Sequence, residues 1–262
     1  MPFHTKKSLG QNFLINKGVL DKIVVAARLT KKDVVVEVGP GTGNLTHKLA
    51  ATTRRLIAVE KDHRFINSLK EQFGESSNVE VIEDDILKFD PKKYHLTAQN
   101  YKIVANIPYY ITSHFLRTIF ESWPQPSLIV LTIQKEVAQR LMAKPPHMNL
   151  LALSVQYYAD PEIIMTVSRG SFRPIPKVDS AIVRLIPRIA NDKLQVTNNL
   201  FLLIRSGFGE KRKQLASVLA KKLKLPKETI VVIFTSLDLP ATIRAENLSL
   251  EQWGRLSDAL NA

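Results

Sequence analysis

The stretch N-I-P-Y at 106–109, which closes the apolar run YKIVA, brings together groups suited to holding a flat heterocycle. The Asn106 amide oxygen can accept a hydrogen bond from an exocyclic amine, and the Ile107 carbonyl can accept a second. Pro108 fixes its own φ and so keeps the two acceptors aimed. Tyr109 offers a π-face on which a base can stack. This set suits a base turned out of its stack, the posture that enzymes acting on base atoms require.

A glycine loop and two carboxylates describe a second ligand. The run EVGPGTGNLT places Gly39, Gly41 and Gly43 behind an apolar strand. Backbone without Cβ atoms lets a ligand approach there, and the next helix offers amide donors at its N-terminus. The dinucleotide fingerprint wants its third glycine one place later, where Asn44 stands, so the loop also reads as a tight strand-to-helix turn. Glu60 ends the following strand, where an acidic side chain commonly accepts from both ribose hydroxyls. Asp85, within EDD, ends the strand after that and is placed to accept from an adenine amino group. Either carboxylate alone could be merely solvated. Both, at successive strand ends after a glycine loop, point to an adenosine-containing ligand.

The elements that must position these groups follow from the hydrophobic pattern. Five short apolar or β-branched runs occupy 34–39, 55–60, 79–85, 101–107 and 127–133, separated by turns or amphipathic helical patterns. Continuous apolar strands between helices predict a doubly wound α/β sheet, parallel and covered on both faces. From about residue 187 the pattern turns helical, in LFLLIRSGF, KRKQLASVLAKKL, KETIVVIFTSL and SLEQWGRLSDAL, with IPRIANDKLQV as the linker. The expected division is therefore 1–187, with 1–20 as an N-terminal arm, and a small helical domain at 188–262.

Composition limits the partners. Lys and Arg number 37 against 24 Asp and Glu, a net charge of +13, which fits nucleic acid, a membrane surface, or a merely basic soluble protein. Lys211, Arg212, Lys213, Lys221, Lys222 and Lys224 gather on one or two helical turns, as a solvated face or as a contact for phosphates. There is no cysteine, which excludes disulfides, Cys-ligated zinc and thiol catalysis. The six histidines are scattered and no metal-ligand spacing is visible, so no metal is expected. The start MPFHTKKSLGQNF lacks the apolar core of a signal peptide, and no later run would span a bilayer. The expectation is a soluble, cytoplasmic protein without membrane contact.

The glycine loop, Glu60 and NIPY together resemble S-adenosylmethionine-dependent methyltransferases that act on adenine amino groups. With KKSLGQNFL, QKEVAQRL, FRPIPKVDSAIVRL and GFGEKRKQLASVL in that order, the chain closely resembles the ribosomal RNA adenine dimethyltransferases over essentially its whole length. The resemblance implies a Rossmann-like methyltransferase sheet with a small C-terminal helical domain that binds RNA or the ribosome. It implies S-adenosylmethionine as cofactor, held by Asn12, Leu14, Gly39, Glu60, Asp85 and Asn106. It sets Asn106, Ile107, Pro108 and Tyr109 on the target base, with Phe172 stacked on the other face. The implied reaction is dimethylation of two adjacent adenosines in the 3′-terminal hairpin of small-subunit (16S) ribosomal RNA, within a ribosomal small subunit or its precursor, by a monomer. Two other readings keep the same features: a large-subunit ribosomal RNA adenine methyltransferase of the antibiotic-resistance type, and an RNA-binding ribosome assembly factor. A DNA adenine methyltransferase would more often carry proline at 107, and a nicotinamide dehydrogenase leaves NIPY unexplained.

Overall fold

The computed structural model describes residues 11–188, 198–210 and 212–261. A short strand β1 (Phe13–Leu14) and helix α1 (Lys17–Ala26) precede the alternating core. That core runs β2 (Val34–Val38), α2 (Asn44–Thr52), β3 (Arg55–Glu60), α3 (His63–Phe73), β4 (Val79–Glu83), β5 (Lys102–Asn106), α4 (Thr112–Ser122) and β6 (Leu128–Gln134). Next come α5 (Lys135–Leu141), α6 (Leu150–Tyr158), β7 (Ala159–Val167), β8 (Phe172–Arg173) and β9 (Ser180–Pro187). Four helices end the chain: α7 (Asn198–Gly207), α8 (Leu215–Leu223), α9 (Lys227–Ser236) and α10 (Leu250–Asn261). No helix among the described residues is long and apolar enough to cross a membrane.

The seven-stranded sheet has the order β4-β3-β2-β5-β6-β9-β7. The five strands from β4 to β6 are parallel, and β9 runs antiparallel to β6. Every residue of β2 is buried, as a strand covered on both faces requires. The expected doubly wound sheet is present, and its strand order reverses at β2, which has β3 on one side and β5 on the other. In such sheets the crevice beyond the carboxyl ends at the reversal is where ligands bind. The α3 helix is capped by Asp62, whose side chain accepts from the Arg64 amide, and it buries Phe65, Ile66, Leu69 and Phe73.

The expected strands recur with small end shifts. β4 stops at Glu83, so Asp85 lies two residues beyond its strand and not at its end. The pattern did not predict the two-residue bridge of β1 with β8, in which Phe13 faces Arg173 and Leu14 faces Phe172. Two residues are too few to show a period.

Packing divides the chain in two. Of the described residues, one unit holds those up to Gln139 together with Asp160–Pro187, and the other holds Arg140–Ala159 with those from Arg188 on. The single break expected at 187–188 thus differs from the packing in one segment. Ala152, Leu153 and Tyr157 of α6 join the same apolar cluster as Leu203, Phe208, Leu219, Trp253 and Leu256. The sequence LLALSVQYY is too apolar to stand in water, and its partners come more than forty residues later, beyond the reach of a local pattern.

Within the second unit Trp253 is fully buried, and α7 passes it at Gly207. A Cβ there would stand 2.9 Å from Leu215 Cδ1 and closer still to the Trp253 ring. Gly207→Ala is expected to destabilise this unit by about 1–3 kcal/mol through overpacking, despite the better helix propensity of alanine. Scanning calorimetry checks this, and a stabilised variant would contradict it.

Candidate active site

Four strand ends and the N-terminal arm enclose one cleft, lined by Gln11, Asn12, Phe13, Gly39, Gly41, Glu60, Lys61, Asp62, Asp84, Asp85 and the run Asn106–Ile111 among others. β2 delivers the glycine loop, β3 delivers Glu60, the turn after β4 delivers Asp85, and β5 delivers NIPY. Because the strands are parallel and in register, all four loops emerge on one rim.

Glu60 is 7% exposed, and its two oxygens are held separately. Oε2 accepts from the Gly41 amide at 3.0 Å and Oε1 from the Asp62 amide at 2.8 Å. A carboxylate has about four acceptor sites, so capacity for two hydroxyl donors remains. Burial raises its pKa, the two amides oppose the rise, and nearby Asp62 adds to it. Asp85 behaves oppositely. Burial works against its ionisation, but Lys61, whose Nζ lies 2.7 Å from Oδ2, and the Leu87 amide more than offset this and lower its pKa.

Gly39 has φ +65°, and an added Cβ would meet nothing within 4 Å, so the backbone there borders open space. Gly41 has φ +54° and is closed off by the arm, since a Cβ would fall 2.7 Å from the Phe13 ring. Phe13 in turn sits edge-on to Phe65 of α3 at 5.3 Å. Gly43 lies apart from the cleft lining, at the start of α2 and against Phe73.

Side chains from three loops hold the arm. Gln11 donates to Asp62 Oδ2 at 2.7 Å and receives Arg64 Nη2 at 3.3 Å. The Arg64 guanidinium, with Gln11 assisting against partial burial, holds the Asp62 carboxyl well below the ordinary carboxylate range. Asn44 Nδ2 donates to the Leu14 carbonyl at 3.0 Å. Asn106 Nδ2 donates to the Asn12 carbonyl at 3.0 Å. A carbonyl can only accept, so this last bond fixes the amide's orientation and leaves Oδ1 as the end available to a ligand.

Ile107 is buried and is the first residue past the ladder that pairs Asn106 with Thr132. Pro108, at φ −56° and ψ 132°, starts the single 3₁₀ turn Tyr109–Ile111 that leads into α4. The Tyr109 hydroxyl lies 2.7 Å from Ser180 Oγ, and its pKa is raised by burial. Tyr110 is 61% exposed at the cleft edge.

Besides Gly43, two expected residues stand elsewhere. Phe172 has no exposure and presents no face to the cleft; it packs with Leu14, Val167 and Ile182. Leu14 belongs to the same apolar cluster, so only its carbonyl is engaged, and by Asn44. The β1–β8 bridge pulls both side chains inward, and burying each contributes about 1.5–3 kcal/mol. Gln11, Phe13, Lys61, Asp62 and Asp84 join the cleft without having been expected there. The first two flank Asn12 in QNFL and the next two follow Glu60 directly, so proximity in sequence was the available signal.

Of the basic cluster, Lys211 lies outside the described residues. Arg212 and Lys213 are exposed in the turn before α8, and Lys221 and Lys222 in its last turn. The expected single helical cluster is thus two groups, one before the start of α8 and one in its last turn. Lys221 also lies 3.3 Å from Glu210.

A family model described as ribosomal RNA adenine dimethylase matches residues 2–262. The chain belongs to this family. It is 43% identical over 254 residues to a protein of Dehalococcoides mccartyi named ribosomal RNA small subunit methyltransferase A, covering 96% of this chain and 87% of that one. A protein of the same name from Lachnoclostridium phytofermentans is 41% identical over 268 residues, covering 99% and 92%. Among solved structures, a dimethyladenosine transferase from Plasmodium falciparum superposes with TM-score 0.79 at 30% identity, covering 93% of this chain and 95% of that one. The 23S rRNA methyltransferase ErmE superposes with TM-score 0.76 at 27% identity, covering 96% and 100%.

One carboxyl beneath the cleft carries a pH signature. Glu37 is 1% exposed near the carboxyl end of β2, and burial pushes its pKa up to about 8; the nearby Thr46 hydroxyl tempers the rise and Glu60 adds to it. Neither Glu37 Oε2 nor Thr46 Oγ1 has a hydrogen bond of ordinary geometry. Between its ordinary value of 4.5 and about 8 the folded chain keeps a proton that the unfolded chain releases. The associated stability is full below pH 4.5 and is lost as pH rises to about 8. Glu37→Gln is expected to remove this contribution, whose slope reaches about 1.4 kcal/mol per pH unit. Urea midpoints of the two proteins should lie close together in acid and diverge in favour of the variant by pH 8.

Proposed function

We propose that the chain transfers methyl groups from S-adenosylmethionine to the exocyclic amines of two adjacent adenosines in the 3′-terminal hairpin of small-subunit ribosomal RNA, giving N6,N6-dimethyladenosines. The observation that carries this reading is that NIPY and the carboxylates suited to a nucleoside share one cleft, in a chain whose relatives bear the small-subunit name. The substrate is proposed to be a ribosomal small subunit or its precursor, met in the cytoplasm by a monomer.

The cleft fits S-adenosylmethionine on its own chemistry. Gly39 borders open space where a bulky ligand can lie against the main chain, and Glu60 keeps acceptor capacity for a pair of ribose hydroxyls. Asp85 would take the adenine amino group, exchanging part of its Lys61 contact. Asn12 and Phe13 would close the arm side. When bound, the cofactor supplies an electrophilic methyl on a sulfonium leaving group.

The chain's own task is alignment. An adenine amino nitrogen is a poor nucleophile because its lone pair is delocalised into the ring. Asn106 Oδ1 and the Ile107 carbonyl would draw its protons to one side, turning the lone pair towards the methyl carbon. Tyr109 would hold the ring by stacking. Alignment of this kind is worth up to about 7–11 kcal/mol in favourable cases. The nitrogen, once alkylated, is acidic enough to lose its proton to water. Phe172, buried as it is, would support the arm through Leu14 and not touch the base.

The deciding measurement offers tritiated S-adenosylmethionine with small subunits, large subunits, naked RNA and DNA, and maps the labelled nucleotide. Label is expected on adenines of the small-subunit RNA; label on large-subunit RNA would favour the ErmE-like reading. Asn106→Ala should slow transfer more than it weakens cofactor binding, because it removes an acceptor made for the reacting nitrogen. Single-turnover rates set against calorimetric affinity separate the two effects.

The basic groups flanking α8 are proposed to contact RNA phosphates. Changing Arg212, Lys213, Lys221 and Lys222 to Gln is expected to leave cofactor affinity intact. If three phosphates are met, the slope of log affinity against log salt should fall by about 2–3 units. An unchanged slope would mark these groups as solvated helix ends.

A further inference from the structure

The string PKVDSA at 176–181 carries part of the family resemblance, yet the chemistry above makes no use of it. Ser180 is its residue of interest. It opens β9 opposite Gln134 at the end of β6, and it has no exposure. A buried hydroxyl needs a partner, and that of Ser180 has the Tyr109 hydroxyl at 2.7 Å. Tyr109 is half-buried and lines the cleft, so its ring is anchored at the backbone by the NIPY turn and at the far end by Ser180.

The neighbouring Asp179 sets where Ser180 stands. Its carbonyl accepts from the Lys135 amide at 3.0 Å, and its Oδ1 accepts from the Arg169 amide at 2.9 Å. The first bond continues the β6–β9 ladder and the second closes the 169–179 loop on itself. Ser180 therefore sits on rigid backbone, while a tyrosine ring left to itself has two side-chain torsions to explore. We propose that Ser180 is a positioning residue that fixes where the Tyr109 ring lies against the target base, by holding the ring's far end. The base itself comes from the methyltransferase reading; the pinning of the ring rests on the Tyr109–Ser180 contact and not on that reading.

The test is a double-mutant cycle with Ser180→Ala, Tyr109→Phe and the double variant, using the full chain and small subunits. Each single variant is expected to lower kcat about three- to tenfold, from loss of one hydrogen bond that orients a reacting group. KM and cofactor affinity should change little. The double variant should be no worse than either single one, because both remove the same bond. Ser180→Thr, which keeps the hydroxyl, should recover most of the rate. A second arm needs no turnover: the protein is labelled with 3-fluorotyrosine, and the Tyr109 signal is assigned by its loss in Tyr109→Phe. Ser180→Ala should change the shift and width of that fluorine line in the free protein. Losses that multiply in the double variant, or a Tyr109 fluorine line unmoved by Ser180→Ala, would overturn the proposal. If the wild-type protein methylates nothing, the fluorine line alone decides the pinning, and the functional reading fails separately.

Discussion

The hydrogen bond from the Gly41 amide to the buried Glu60 carboxylate joins the two loops on which the cleft depends. A carboxylate at 7% exposure must be satisfied, and its Oε2 is satisfied only if the glycine loop folds back across the end of β3. Folded that way, the loop turns Gly39 towards open space and Gly41 towards the arm. Phe13 can then lie on Gly41 because no Cβ intervenes, and Phe65 of α3 supports it from below. Remove the bond and the loop, the arm and the buried carboxylate lose their common reference.

The arm is held by polar side chains that come from the ends of different strands: Asn44 after β2, Asp62 after β3 and Asn106 on β5. Each satisfies a group of the arm and is itself fixed by doing so. For Asn106 the consequence is chemical, since a donor committed to the Asn12 carbonyl leaves the acceptor end for a ligand. The same economy appears at Tyr109, whose hydroxyl answers a buried serine while its ring faces the cleft.

Much of this was legible beforehand. The parallel sheet could be read because VVVEV, RLIAVE and YKIVAN are apolar without alternation, which only a doubly covered strand tolerates. Glu60 and NIPY could be read because strand ends in such a sheet face a common crevice. The fate of Phe172 could not, since an aromatic in FRPIP suits a ligand or a core equally well. A two-residue bridge to Leu14, from a segment more than 150 residues earlier, decided for the core. The segment 140–159 was misassigned for a similar reason: its apolar face shows that it must be buried, but not against which residues.

Sequence by itself thus determined the element types, the order in which glycines, carboxylates and NIPY occur, the absence of thiol chemistry and the excess of positive charge. These follow from local periodicity, backbone permissiveness and residue chemistry, all of which act within a few positions. Tertiary structure alone decided which glycines border the cleft, which end of the Asn106 amide is presented, that Ser180 meets Tyr109, and that Phe172 is core. Each of those outcomes depends on a contact between residues far apart in the chain, and such contacts exist only once the parallel strands have brought their ends to one rim.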